Sequence, residues 1–405
     1  MYKNIELKDK ERYSFPSKIS KEKLNSAMDI SLCILDKNIE KFGNQLVKPA
    51  SGYEREYPEG KSYLRYTQSD KVRWTNGMWS GLYWLAYMLT GADRYKTMAE
   101  GQISYFIDVS QHPEKMDDHD TGFKFTPCCV AAYKLTGNEE AKKAALLGAE
   151  ALLDHFCQTN QFIIRIGKRR PEDEYIDYRM LVDSMMNIPL FFWAYEETGN
   201  RAYYDAAVGH YRTTAKYLIR EDGSSYHHYQ FDPVTLEPVG GRSLQGNRDE
   251  SCWSRGHSWL ISGYPVAYKY TKDKEIFDIH KAVSYYFMDN LPIDNVPFWD
   301  FDFNVGSFEP RDSSASAIAA CGLMDMLKYL PEDAEQKPLF KNAANIMLEA
   351  LIDRCANRDI TRDALLKHVT GSRPHAGGDG CAVYGDYFYF EALVRALRPD
   401  IEMFW

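Results

Sequence analysis

Apolar residues recur at spacings of three and four along most of the chain, and runs that alternate with period two are few. In Ala141–Phe156 the residues Ala144, Leu146, Leu147, Ala151, Leu152 and Phe156 mark one face of a helix. Such stretches end on one recurring phrase. It reads YMLTGADRY at Tyr87–Tyr95, YKLTGNEEA at Tyr133–Ala141, YEETGNRAY at Tyr195–Tyr203 and YKYTKDKEI at Tyr268–Ile276, with a weaker echo, YLPEDAEQ, from Tyr329. Gly91, Gly137 and Gly199 stand where a helix end favours a left-handed residue, and Asn138 and Asn200 are suited to cap the helix that follows. The unit is a helical hairpin, repeated at a length found in stacked or closed α-arrays. Insertions such as Ile163–Arg179 and Tyr226–Gly246 make the repeats unequal. Unequal insertions suit a closed toroid with its loops on one face better than a uniform solenoid, although spacing alone leaves both open. No Pro/Ser-rich linker divides the chain, so the pattern predicts an all-α fold in one domain, 21–405, after an N-terminal arm, 1–20.

Bulk properties narrow the function classes. The net charge of −9 and the lack of an evident basic face exclude nucleic acid as a partner. They do not exclude an anionic small molecule, because a few local arginines outweigh a distant negative surface. The opening MYKNIELKDKERYSF has no apolar core of a signal peptide, and no stretch reaches the roughly 18 apolar residues of a membrane span. The expectation is a soluble, cytoplasmic protein with no membrane contact. The eight cysteines include no CxxC pair and read as free thiols. The 14% aromatic content suits sugar binding and a large helical core equally. Oligomeric state is not fixed by the sequence, a homo-oligomer included.

Three clusters carry chemistry. MDDHDTGF (Met116–Phe123) crowds three aspartates and a histidine before a glycine; Asp120 either caps the following helix or works as a functional acid. The spacing matches no standard zinc or calcium loop, so no metal is expected. LVDSMMNIPLFFWAYEETGN (Leu181–Asn200) reads as one apolar helix on which Asp183 and Asn187, four residues apart, share a face. An acid set in an apolar wall has its pKa raised, as a proton donor requires; the bland alternative is a helix cap. QGNRDESCWSRGHSW (Gln245–Trp259) mixes arginines and tryptophans, a combination suited to clamping a carboxylate and stacking on a ring. Here the bland alternative is a surface loop with an Arg248–Asp249 pair. Smaller clusters are WTNGMW from Trp74, SYHHYQ with His227 and His228, FWDFD (Phe298–Asp302), DSSASA from Asp312, which also reads as a capped helix start, and YGDYFYFEAL (Tyr384–Leu393).

In this order, from about Trp74 to Leu393, WTNGMW, DHDTGF, VDSMMNIP, QG…WSRGHSW, FWDFD, DSSASA and YGDYFYFEAL resemble the unsaturated glucuronyl hydrolases, glycoside hydrolase family 88. The resemblance implies an (α/α)6 toroid with the site in its central pocket. It implies hydration of the C4=C5 double bond that polysaccharide lyases leave on a terminal hexuronate, with no cofactor and with unsaturated uronate-terminated oligosaccharides as substrates. By the same resemblance Asp183 is the general acid/base and Asp120 the second essential aspartate. Trp74, His119, Asn187, His227, Gln245, Arg255 and Trp259 are expected to line the pocket, the tryptophans by stacking and His227, Gln245 and Arg255 by holding the uronate. The family's sulfate-reading loop is only partly matched. Ser372 remains, His375 and Gly377 replace a serine and a lysine, Arg373 is a candidate substitute, and Leu244 replaces an arginine, with Arg242 close by. IGKRRPEDEY (Ile166–Tyr175) is a further candidate subsite segment. The alternatives are an unsaturated rhamnogalacturonyl hydrolase of shared fold and chemistry, an ordinary inverting glycosidase on the same toroid, or a non-catalytic sugar-binding α-toroid.

Overall fold

The recurring phrase turns the chain as its residues dictate. Gly91, Gly137 and Gly199 adopt left-handed backbone with φ of 68°, 70° and 70°, and each donates its N–H to the carbonyl of the phrase's tyrosine, Tyr87, Tyr133 or Tyr195. In the fourth copy Lys272 takes the same left-handed position, with φ of 54°, bonded to Tyr268 O. Asn138 and Asn200 then cap the next helices, accepting from the N–H groups of Ala141 and Ala202.

The computed structural model describes residue 2 and residues 4–17, 19–49, 64–166, 177–376 and 378–405. Gly167–Tyr175 of the candidate subsite segment, and Gly377, lie outside the described residues. The fold is mostly helical, and its helices fall into two sets. One set is apolar nearly all round and buried: Asn76–Thr90, the run Thr121–Phe125, Thr126–Val130 and Ala131–Thr136, then Ile188–Thr198, Ser254–Thr271, Ser313–Met326 and Val383–Leu397. A helix without a polar face must be enclosed by others. Each member packs on the next in this order, and Val383–Leu397 returns to pack on Asn76–Thr90. The other set buries one face only: Lys21–Phe42, Asp93–Ser110, Glu139–Asp154, Arg201–Tyr217, Glu275–Asp289 and Gln336–Ala350. Each of these lies against a buried helix. The arm is tied to this outer set: Tyr13 Oη donates to Met288 O (2.8 Å) and Tyr2 Oη to Ala215 O (2.8 Å). None of the eight cysteines is in a disulfide, and no helix among the described residues is long and apolar enough to cross a membrane.

Besides two short strand pairs, Leu46–Val47 with Gln68–Ser69 and Phe156–Cys157 with Phe162–Ile163, the long insertions depart from the helical pattern. Arg179–Leu181, His228–Phe231 and Pro238–Arg242 form a three-stranded antiparallel sheet, with Leu181 opposite His228 and His228 opposite Arg242. This small sheet places the chemistry.

Candidate active site

Strand pairing brings Asp183 to His227. Leu181 faces His228, and the ladder is extended by Val182 N–H donating to His227 O (3.0 Å). Asp183 follows at once, in a 3-10 turn over Val182–Met186. The single helix expected over this stretch is therefore three elements: a strand, the turn, and a helix that starts only at Ile188. Pro189 in the first turn of that helix explains the late start, since proline suits the beginning of a helix and disrupts its interior. Asn187 does not share a helix face with the Asp183 carboxylate. Its amide instead donates to the Asp183 carbonyl (3.4 Å), while its Oδ1 accepts from Phe123 N–H (2.8 Å). One side chain thus ties the Asp183 turn to the segment carrying Asp120.

That junction is tight because Gly122 lies against it. A Cβ there would fall 2.4 Å from Asn187 Cα and 2.6 Å from its carbonyl oxygen, so only glycine lets the two segments approach this closely. Asp120 occupies the N-cap position of Thr121–Phe125, yet its carboxylate caps nothing. It lies 3.3 Å from His119 Nε2. Asp183 caps no helix either; its Oδ2 is buried without a hydrogen-bond partner and lies 4.0 Å from His227 Nε2. Burial first, then the charge of Asp120, pushes the Asp183 carboxyl up to about 6. Burial and the charge of Asp118 raise Asp120 at least as far, against the pull of Lys124, Arg165 and an Asn187 hydrogen bond. The Asp120 charge thus opposes ionisation of Asp183, which keeps its proton to higher pH than an exposed carboxyl does.

The histidines are neutral. Burial holds His119 down at about 4 and His227 well below its ordinary value. His227 Nδ1 faces the N–H groups of Leu244 (2.9 Å) and Gln245 (3.3 Å). It must accept there, so the ring proton sits on Nε2, the nitrogen turned toward Asp183.

The structure places the remaining expected residues unequally. Trp74 is half-buried and stacks on Tyr384, centroids 5.3 Å apart and planes 17° apart. Gln245 is half-buried and accepts from Arg255 (3.3 Å). Trp259 is fully buried between Phe123 and Phe388, at 5.2 and 5.3 Å. It supports the wall from behind, and its ring has no face to offer a sugar. Arg255 differs from expectation in a related way. It is buried, its guanidinium lies between the rings of Trp253 and Tyr384, 4.6 Å from each, and its donors are engaged by Asp312 (2.7 Å), Thr370 O and Gly371 O (2.7 Å). Its hands are occupied by protein oxygens, so it acts on the site as a buried positive charge that reaches Asp183, not as a bidentate clamp. Asp312 also caps its helix, accepting from Ser314 N–H. In the neighbouring loop Arg373 pairs with Glu309 (2.9 Å) and His375 bonds Leu244 O (3.1 Å). Arg248 pairs with Asp302 (2.8 Å), and its sequence neighbour Asp249 instead accepts from Ser243 N–H. FWDFD serves the same scaffold, Asp300 accepting from Ser251 and Asn247.

The Glycosyl Hydrolase Family 88 model matches residues 48–291. The chain belongs to glycoside hydrolase family 88. Within the family it is 38% identical to an unsaturated chondroitin disaccharide hydrolase of Streptococcus pneumoniae, over 98% of each chain. It is 33% identical to an unsaturated glucuronyl hydrolase of Bacillus sp. (strain GL1), over 94% of this chain and 98% of the relative. The crystal structure of an unsaturated glucuronyl hydrolase from Streptococcus agalactiae superposes with a TM-score of 0.91 at 35% identity, covering 99% of this chain and 98% of that one. A variant of that enzyme complexed with dGlcA-GalNAc6S superposes at 0.85, with 33% identity and full coverage of both chains.

Two residues of this candidate site escaped the motif reading. Tyr384 was visible only as a helix start, and its contacts with Trp74 and Arg255 depend on distant segments. Lys124 did carry a signal: it is the one charge in the apolar run GFKFTPCCV, and it is buried. Among the described residues no group of three or more His, Cys, Asp or Glu is placed to hold a metal ion.

Proposed function

We propose that this family 88 glycoside hydrolase removes a 4,5-unsaturated hexuronate from the non-reducing end of lyase-generated oligosaccharides by hydrating the C4=C5 bond. The observation that carries the reading is the convergence of a buried and a half-buried carboxyl, both of raised pKa, with a neutral histidine N–H turned toward Asp183, in a chain that matches unsaturated uronate hydrolases end to end. The helical array is read as an (α/α)6 toroid over 21–405 with the arm 1–20 packed outside it, and the enzyme as cytoplasmic. In the proposed reaction Asp183 gives its proton to C4, and positive charge develops at C5 and the ring oxygen. The Asp120 carboxylate stabilises that charge. Water adds at C5 as ionised Asp183 takes one of its protons back, which restores the starting state. The product is a hemiketal; it opens to a C5 ketone and a C1 aldehyde, and the neighbouring sugar leaves with its own oxygen. The anomeric carbon is not attacked, so carboxylate separation carries no stereochemical prediction here.

Within this reading Trp74 offers its ring to a sugar face, and His119, His227 and Gln245 contact the uronate and its hydroxyls; Asn187, expected among these contacts, is fully buried with its amide engaged and holds the two aspartate segments together. Arg255 and Trp259 support the pocket from behind. The test is a panel of unsaturated disaccharides from hyaluronan, chondroitin and heparin. Loss of ultraviolet absorbance on at least one member, abolished in Asp183→Asn, is the expected result. No loss on any member overturns the reading.

A further inference from the structure

Beside the two reacting carboxyls lies a second charged pair that the proposed reaction does not use. Lys124 is buried, its side chain 4% exposed, and its Nζ bonds Asp118 Oδ2 at 2.6 Å. The other oxygen of Asp118 accepts the backbone N–H of Asp120 (2.9 Å), and the Asp118 carbonyl accepts from Thr121 Oγ1 (3.0 Å). Lys124 N–H in turn donates to Asp120 O (3.3 Å). Asp120 is therefore gripped from both sides of its peptide unit by the two members of one ion pair. A buried lysine is costly, and its pair with the partly exposed Asp118 is at best a weak source of stability. Packing alone gives this pair no reason to stand one helical turn from a reacting group.

We propose that Asp118 and Lys124 are positioning residues for the reaction, fixing the placement of Asp120 and setting how readily it carries negative charge. The inference rests on the hydration reading above. The groups facing Asp120 are Asp118, His119 and Lys124 from its own segment, Asp183 and Asn187 from the turn opposite, and Arg165 from the segment after Phe162–Ile163. His155, from the end of Glu139–Asp154, faces Asp118, and Arg255 reaches Asp183. Among these, Asp118 is the like charge that opposes ionisation of Asp120 and Lys124 the unlike charge that favours it. Burial pushes Asp118 itself up, but Lys124 more than offsets this and keeps it ionised.

The two members therefore act with opposite sign, which a purely structural pair would not do. The experiment measures kcat/KM against pH for the full chain with an unsaturated chondroitin disaccharide, alongside thermal melts. Asp118→Asn is expected to move the acid limb down by about half a pH unit or more, and Lys124→Met to move it up by less, because Asp118 without its cation gives up part of its charge. Lys124→Arg should leave the limb in place. The double variant Asp118→Asn/Lys124→Met leaves no lone buried charge, so it covers the case in which a single variant does not fold; its limb should return near that of the wild type while kcat falls. Limbs that stay fixed, or move together, in the two single variants overturn the inference, as does an unchanged kcat in the double variant. Wild-type enzyme that leaves the double bond of every member of the hyaluronan, chondroitin and heparin panel intact overturns the hydration reading and this inference with it.

Discussion

Replacing Asp183 by asparagine keeps the shape of the side chain and removes its proton. The structure predicts two linked consequences. Raising the carboxyl from 3.8 to about 6 corresponds to ~3 kcal/mol between its two protonation states. The sign follows from linkage. The folded chain keeps this proton to higher pH than the unfolded chain, so the stability tied to it is fully present below pH ~4 and is lost as pH rises to about 6. At pH 7.5 the wild type has lost the whole amount, and Asp183→Asn has lost none of it. At roughly 2.1 cal/mol/K per residue over 405 residues, ~3 kcal/mol is worth about 3 °C in Tm. The variant should therefore melt ~3 °C above the wild type at pH 7.5 and level with it near pH 4, while kcat falls roughly 10²- to 10⁴-fold for loss of a general acid/base. Calorimetry at the two pH values and a steady-state assay measure both. A variant that melts lower than the wild type at both pH values, or one that keeps near-normal turnover, refutes the assignment.

Other substitutions test the geometry around the pair. Gly122→Ala forces a Cβ to within 2.4 Å of Asn187 Cα; it should cost about 1–3 kcal/mol by overpacking and lower kcat, read by melts and kinetics together. Arg255→Met leaves Asp312 buried without its cation, so a loss of about 3–5 kcal/mol is expected in denaturant unfolding, along with reduced kcat/KM. Trp74 and Trp259 should separate: Trp74→Ala raises KM with little change in Tm, whereas Trp259→Ala costs about 3–5 kcal/mol of stability as a fully buried ring.

The helical part of the fold was legible because its punctuation is local. Three glycines and two asparagines in one repeated phrase are read within five residues of themselves, and the structure uses each as its chemistry suggests. The Val182–Met186 turn was hidden because its apolar residues fit helical spacing; Pro189 marks the later helix start locally, but the bond that draws the preceding residues into the sheet runs from Val182 to His227, 45 residues away. The site was legible as an ordered set of motifs, not as geometry. Nothing near Trp259 in sequence reveals that Phe123 and Phe388 cover it, and nothing near Arg255 reveals that Asp312 and the carbonyls of Thr370 and Gly371 fill its donors. The roles of the two aspartates also changed in weight. Neither carboxylate caps a helix, although Asp120 stands at an N-cap position, and burial raises both.

The central claim is hydration of the double bond rather than attack at the anomeric carbon. The most direct measurement follows, in one reaction with an unsaturated chondroitin disaccharide, both the absorbance of the C4=C5 bond and the release of the neighbouring sugar. Hydration predicts that absorbance decays no later than the sugar appears, with deuterium entering at C4 when the solvent is D2O. Release of the sugar while the double bond persists would contradict it.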